Sequence, residues 1–169
     1  MVLACPLAVI GVVHTDRVSP ENTPVQAALN RAESGTIVIH PPYDEGLAGL
    51  EGFDYAWLLS WLHDPAGPAA PPPMKQVPFL LRPQQREVGI FATRGPRRVN
   101  PIGLSLIELQ EISGPEIRFS GVDLIDGTPV IDLKPYVSRF DRPEAEPRCG
   151  WFDEITFTPG ATPADLGRN

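Results

Sequence analysis

The chain has 169 residues, 42% of them hydrophobic and 21% charged, long enough to close one core and ordinary for a globular protein. Its formal charge of −7 gives no global sign of nucleic-acid binding, so a polyanion would have to meet a local basic patch. Two cysteines, Cys5 and Cys149, form neither a CxxC pair nor a disulfide framework, and no apolar run reaches the ~18 residues of a membrane span; a soluble, cytoplasmic, reduced chain is expected.

The 21 prolines are about an eighth of the chain against roughly 5% on average, which argues for short strands and rigid turns over long helices. The N-terminal MVLACPLAVIGVV lacks a basic n-region, and its stretch Ala8 to His14 reads as a buried strand, not a signal peptide. Residues Thr15 to Glu33 are polar and carry Pro20 and Pro24, hence a long loop, with a helical turn expected over Gln26 to Arg31. Thr36 to Ile39 is a second strand, stopped by Pro41-Pro42. Leu47 to Gly52 is interrupted by glycine, and Phe53 to Leu62 is aromatic and apolar, ending at His63-Asp64-Pro65.

Pro65 to Pro73 excludes regular structure and reads as a surface loop, because strand-like sequence resumes after it. Gly89 to Thr93, Leu104 to Ile112, Glu116 to Val122 and Pro129 to Leu133 all have strand character between Gly, Pro or Asp punctuation. After Asp141 the chain is polar and Pro-rich, with one apolar patch at Trp151 to Phe157. Many short strands without strand–helix alternation predict a mainly β, single-domain, closed or nearly closed barrel with few short peripheral helices.

The chemistry is first bounded by exclusion. Neither G-x-G-x-x-G nor G-x-x-x-x-G-K-[ST] occurs, so Rossmann and P-loop phosphate sites are unsupported, and no metal is expected because His14, His40 and His63 lack short ligand spacing. A serine hydrolase lacks G-x-S-x-G, leaving only a spatial arrangement around His63. Two segments stand out. Phe91 to Gly103 (FATRGPRRVNPIG) packs Arg94, Arg97 and Arg98 among turn formers, near Arg82 and Arg86. Gly121 to Val137 (GVDLIDGTPVIDLKPYV) sets Asp123 and Asp126 around an Asp-Gly turn, which reads either as turn chemistry or as a ligand site.

FATRGPRRVNPIG resembles the signature FATRSPxRPNPIG of the TsaA-like (YaeB/TrmO) proteins, and GVDLIDGTPVIDLKPYV is similar to their second signature, DxxDGTPxxDIKPY. IGVVHTDR (Ile10 to Arg17), Thr23 to Gln26 and GLEGFDYAWLLSWLH (Gly49 to His63) fall in the same order. Gly95 and Val99 stand where the pattern has Ser and Pro, and Asp64 follows His63 where Gln or Arg is usual. The resemblance implies a TsaA-like barrel over residues 7–140, with 141–169 a Pro-rich C-terminal extension, packed on the barrel or partly irregular. It also implies a homodimer that binds S-adenosylmethionine by a non-Rossmann architecture and methylates N6 of threonylcarbamoyladenosine in tRNA, beside the anticodon.

By motif, the implied cofactor contacts are Pro24, Gln26, His63, Arg94 and Leu104, together with the turn Asp123, Leu124, Ile125, Asp126, Gly127 and Thr128. An arginine suits the cofactor's carboxylate, and aspartates suit its ribose or ammonium. Aligning donor and nitrogen is the main catalytic task. The N6 proton needs an acceptor, and residue chemistry does not choose between Asp126 and Tyr136. Arg97 and Arg98 are left as tRNA contacts. Two other readings compete: a non-catalytic nucleotide- or RNA-binding barrel, and a hydrolase built on His63.

Overall fold

The computed structural model describes residues 6–62, 71–156 and 162. Six strands close an antiparallel barrel: β1 (Gly11–His14), β2 (Ser34–Ile39), β3 (Tyr55–Trp61), β6 (Ile102–Ser113), β7 (Glu116–Ser120) and β8 (Thr128–Pro135). Around the ring they follow the order β1-β2-β7-β6-β3-β8, and β8 pairs back onto β1 through Gly11↔Val130 and Val13↔Thr128. Outside the ring, β4 (Lys75–Gln76) and β5 (Val88–Gly89) form a two-residue ladder. The mainly β barrel expected from strand spacing and proline content is the observed architecture.

Alternation within each strand makes the core. In β3, Ala56, Leu58 and Ser60 point inward and Tyr55, Trp57, Leu59 and Trp61 outward; β2 turns Ile37 and Ile39 inward. These side chains, with Val13, Ile107, Ile117, Phe119 and Val130, fill the interior. Register shifts opposite Leu59–Ser60 and between Leu109 and Glu111 leave Ile131 of β8 and Gln110 of β6 as extra residues, bulges that are a usual way to bend long strands around a small barrel.

Packing between β1 and β2 leaves no room at Gly11, where an added Cβ would stand 2.5 Å from the Val38 carbonyl oxygen. Backbone cannot yield there as a side-chain tip can. Gly11→Ala is therefore expected to lower stability by about 1–3 kcal/mol, the usual cost of overpacking, read as a reduced urea midpoint with an unchanged slope.

Three local expectations change. Gly89 to Thr93 is not a strand beyond Gly89: Ile90–Ala92 forms a 3₁₀ turn, closed because the Thr93 amide and Oγ1 both donate to the Ile90 carbonyl (3.2 and 2.8 Å). The first strand begins at Gly11, not at Ala8, although the Ile10 amide already donates to Val130 O at 2.8 Å. The turn expected over Gln26 to Arg31 is a 3₁₀ turn at Ala27–Leu29. His63, Asp64 and most of the Pro-rich run lie outside the described residues.

Candidate functional site

Three loops gather at the barrel end where β1 finishes and β6 and β8 begin. The first is the polar stretch between β1 and β2, the second the arginine loop between β5 and β6, and the third the acidic turn between β7 and β8. Two adjacent residues of the first loop bind it to the other two. Gln26 accepts at Oε1 from Arg94 Nε (3.0 Å), and the Ala27 amide donates to Asp123 Oδ2 (2.9 Å).

Asp123 is the centre of this junction. Its Oδ1 accepts from Ser105 Oγ at 2.7 Å, and Ser105 is itself buried on the inward face of β6. Burial pushes the Asp123 carboxyl up to about 6, although the Ser105 hydroxyl, the Ala27 amide and the Arg94 charge all favour its ionised form. A serine hydroxyl both donates and accepts, so protonation of Asp123 can reverse the bond to Ser105 and keep the junction closed.

A second set of bonds holds the same loop from behind. Arg17 grips Glu33 through Nε and Nη2 and reaches the Asn22 carbonyl with Nη1 (2.7 Å). Asn30 Nδ2 donates to Glu33 Oε2 and to Val122 O, both at 2.8 Å, and the Gly121 amide donates to Glu33 O (3.1 Å). The Arg17 hydrogen bond holds the Glu33 carboxyl below its usual value, with Asn30 adding to it. Gly121, at φ 92°, brings its backbone against Ala27, and a Cβ there would meet the Ala27 carbonyl at 3.3 Å.

The acidic turn divides its residues between support and surface. Leu124 belongs to the core and Thr128 is buried, its Oγ1 donating to Ile125 O (2.6 Å), so both side chains are turned into the fold. Asp126 is exposed. Its Oδ1 accepts from the Thr15 amide (3.2 Å) and lies 3.1 Å from His14 Nδ1, while Gly127 completes the turn at φ 76° with its amide on Val13 O (2.9 Å). Asp126 Oδ2 makes no hydrogen bond among the described residues.

The remaining sequence-derived residues separate. Pro24 is buried beside Gln26. Leu104 turns its side chain outward, 45% exposed, and its carbonyl accepts from Arg94 Nη2 at 3.4 Å. Arg98 Nη1 donates to Thr93 O (2.9 Å), and Arg97 is exposed without a hydrogen bond or ion pair among the described residues. Tyr136 stands beyond the far end of β8, whose eight residues span roughly 25 Å at about 3.3 Å each; there it packs edge-on against Tyr55 and Trp57. One chain therefore does not bring Asp126 and Tyr136 together. His63 lies outside the described residues, and among those described no three of His, Cys, Asp or Glu gather as a metal site.

The sequence does not single out Ser105 or Thr15, and it offers His14 only as a metal ligand without a spaced partner. Ser105 had one available signal: in Gly103-Leu104-Ser105-Leu106-Ile107 the phase that buries Ile107 also buries Ser105, and a buried hydroxyl needs a partner.

The family described as "tRNA-methyltransferase O N-terminal domain" matches residues 12–142. Over 147 residues the chain is 37% identical to a probable S-adenosyl-L-methionine-binding protein of Pyrococcus abyssi, covering 86% of this chain and 74% of that protein. It is 40% identical over 101 residues to the human tRNA (adenine(37)-N6)-methyltransferase, covering 60% of this chain and 22% of that protein. The crystal structure of TrmO from Pseudomonas aeruginosa superposes with a TM-score of 0.69 at 33% identity, over 88% of this chain and 62% of that one. The match thus spans less than two thirds of that solved chain.

Proposed function

The chain belongs to the family of the tRNA-methyltransferase O N-terminal domain, and from that premise we propose that it is an S-adenosylmethionine-dependent methyltransferase acting on N6 of threonylcarbamoyladenosine in tRNA, beside the anticodon. The observation that carries the proposal is the pair of adjacent residues, Gln26 and Ala27, each bonded to a different signature segment, at Arg94 and Asp123. Segments distant in sequence are thereby assembled at one barrel end, and relatives that match this chain over 101 to 147 residues are named for S-adenosylmethionine or for tRNA adenine methylation.

The donor set fits that cofactor. Arg94 offers a guanidinium to a carboxylate, Asp123 and Asp126 offer carboxylates to an ammonium or a ribose, and the backbone of Ile125 to Gly127 can read an adenine edge. Pro24, Gln26 and Leu104 would shape the wall around Arg94, Leu124 and Thr128 would support the turn from the core, and His63 is a contact proposed from the motif alone. When bound, S-adenosylmethionine supplies a methyl group already activated on sulfur, so the chain's task is to orient the acceptor nitrogen and take up its proton.

Asp126 suits proton uptake. Thr15 and His14 hold its Oδ1, which leaves Oδ2 to accept. Tyr136 is then a packing residue of the Tyr55–Trp57 cluster. Arg97 and Arg98 would meet the tRNA backbone.

We read residues 7–140 as the family's barrel and 141–169 as an extension fastened to it by Trp151, whose Nε1 donates to Ala92 O at 2.8 Å. A homodimer accords with the outer faces of β3 and β6, where Trp57, Leu59 and Trp61 lie opposite Leu106, Leu104 and Ile102. Among the described residues no helix is long and apolar enough to cross a membrane, and the cytoplasm is where the tRNA substrate resides. A purely RNA-binding barrel is less favoured, since it leaves the cofactor-named relatives unexplained.

Incubation with labelled S-adenosylmethionine and tRNA bearing threonylcarbamoyladenosine is expected to label that tRNA and not the unmodified transcript. Cofactor binding without transfer to any tRNA removes the acceptor, and absence of cofactor binding removes the enzyme.

A further inference from the structure

We propose that Phe91 is a stacking platform for an unpaired base of the RNA substrate, an inference that rests on the tRNA reading above. Phe91 is 81% exposed, yet the turn that carries it is firmly held. Ile90 and Thr93 on either side are buried, at 1% and 7% exposure. Thr93 Oγ1 donates to Ile90 O (2.8 Å) and accepts from Gln76 Nε2 (3.1 Å), and Trp151 Nε1 fixes the Ala92 carbonyl at 2.8 Å. With Ile90 and Thr93 turned inward by these bonds, the ring between them is presented to solvent by the fold and not by looseness.

The charge around the ring points to its occupant. Between Val88 and Ile107 the sequence has three arginines, Arg94, Arg97 and Arg98, and no acidic residue, in a chain whose formal charge is −7. Arg98 lies against the same turn through its bond to Thr93 O, and Arg97 is exposed with no partner among the described residues. A second copy docked symmetrically on this surface would set like arginines against each other, which disfavours a self-contact here. A polyanion with a free aromatic face satisfies both features, the phosphates on arginine and the base on the ring. The base faces of a duplex are hidden in its stack, so the fitting ligand is a single-stranded loop.

The test uses the whole chain, with Phe91→Ala, Phe91→Tyr and Phe91→Trp, and a tRNA anticodon stem-loop set against a fully paired duplex of the same length. Phe91→Ala is expected to weaken stem-loop binding by roughly ten- to a hundredfold, the usual loss for one base–aromatic stack, leaving duplex binding and the S-adenosylmethionine dissociation constant unchanged. Phe91→Tyr and Phe91→Trp should bind as the wild type does, and the added indole fluorescence of Phe91→Trp should quench with the stem-loop alone. In methyl transfer the loss should fall on the KM for tRNA.

Equal binding by Phe91→Ala and wild type overturns the assignment. So does an equal loss for duplex and stem-loop, which would make Phe91 a support for the arginine loop, or a change of oligomeric state in Phe91→Ala. Wild-type protein that binds S-adenosylmethionine but no RNA overturns the tRNA reading itself, and the Phe91 assignment with it.

Discussion

Arg94→Ala is expected to raise the dissociation constant for S-adenosylmethionine by roughly a hundredfold, measured by calorimetry. Two losses combine. The first is a charge-assisted bond to the cofactor's carboxylate, of the class that contributes about 1.5–3 kcal/mol. The second is the clamp on Gln26, whose Oε1 sits 3.0 Å from Arg94 Nε. Gln26→Ala removes only the clamp and should cost about tenfold. Because the two side chains share one bond, the double variant should be weaker than the wild type by less than the product of the single effects. Arg94→Lys keeps the charge but not the planar fork, and should recover affinity only in part. An affinity untouched by Arg94→Ala would remove the arginine from the cofactor site.

The second expectation concerns pH, and its two parts have opposite signs. Asp123 is raised from 3.8 to about 6 in the folded chain. Between those values the native state holds a proton that the unfolded chain has lost, so stability falls as pH rises. The contribution is full below about 3.8 and gone above about 6, and amounts to about 3 kcal/mol at most.

Binding of a cationic cofactor should do the reverse. Its positive charge favours the ionised carboxylate, so affinity should rise with pH through the region of 6, and binding near pH 6 should release protons. Asp123→Asn can keep both bonds, accepting from the Ala27 amide and donating to Ser105 Oγ, while losing the charge. It should therefore fold, unfold with a flatter pH profile, and bind the cofactor more weakly above pH 6 with no proton release. Identical pH profiles for variant and wild type in both measurements would rule out Asp123 as the titrating group.

Much of this was legible in the chain, for identifiable reasons. Strands such as Tyr55–Trp61 and Ile102–Ser113 declare themselves because a barrel wall imposes a two-residue period on apolar side chains. The arginine loop and the Asp-Gly turn were visible because turn formers bound them. What the one-dimensional pattern does not contain is partnership. Nothing near Asp123 in sequence announces Ser105, eighteen positions earlier, or the Ala27 amide, 96 positions earlier. Gly89 to Thr93 reads as strand because Ile90, Phe91 and Thr93 are β-formers, but the Thr93 hydroxyl captures the Ile90 carbonyl and winds the segment into a turn. Asp126 and Tyr136 are equivalent on the motif alone, yet β8 lies between them and an extended strand puts its two ends far apart.

The unbroken ring of strands constrains how a ligand can enter and leave. Each of the six strands is hydrogen-bonded on both sides, so opening any seam gives up ladder bonds that the interior cannot replace. Exchange of a bound molecule must then proceed through the loops above the rim while the wall stays shut. In hydrogen–deuterium exchange, the Ala27 amide should become protected when cofactor is added, whereas amides of β3 and β8 should exchange at the same slow rate with or without it.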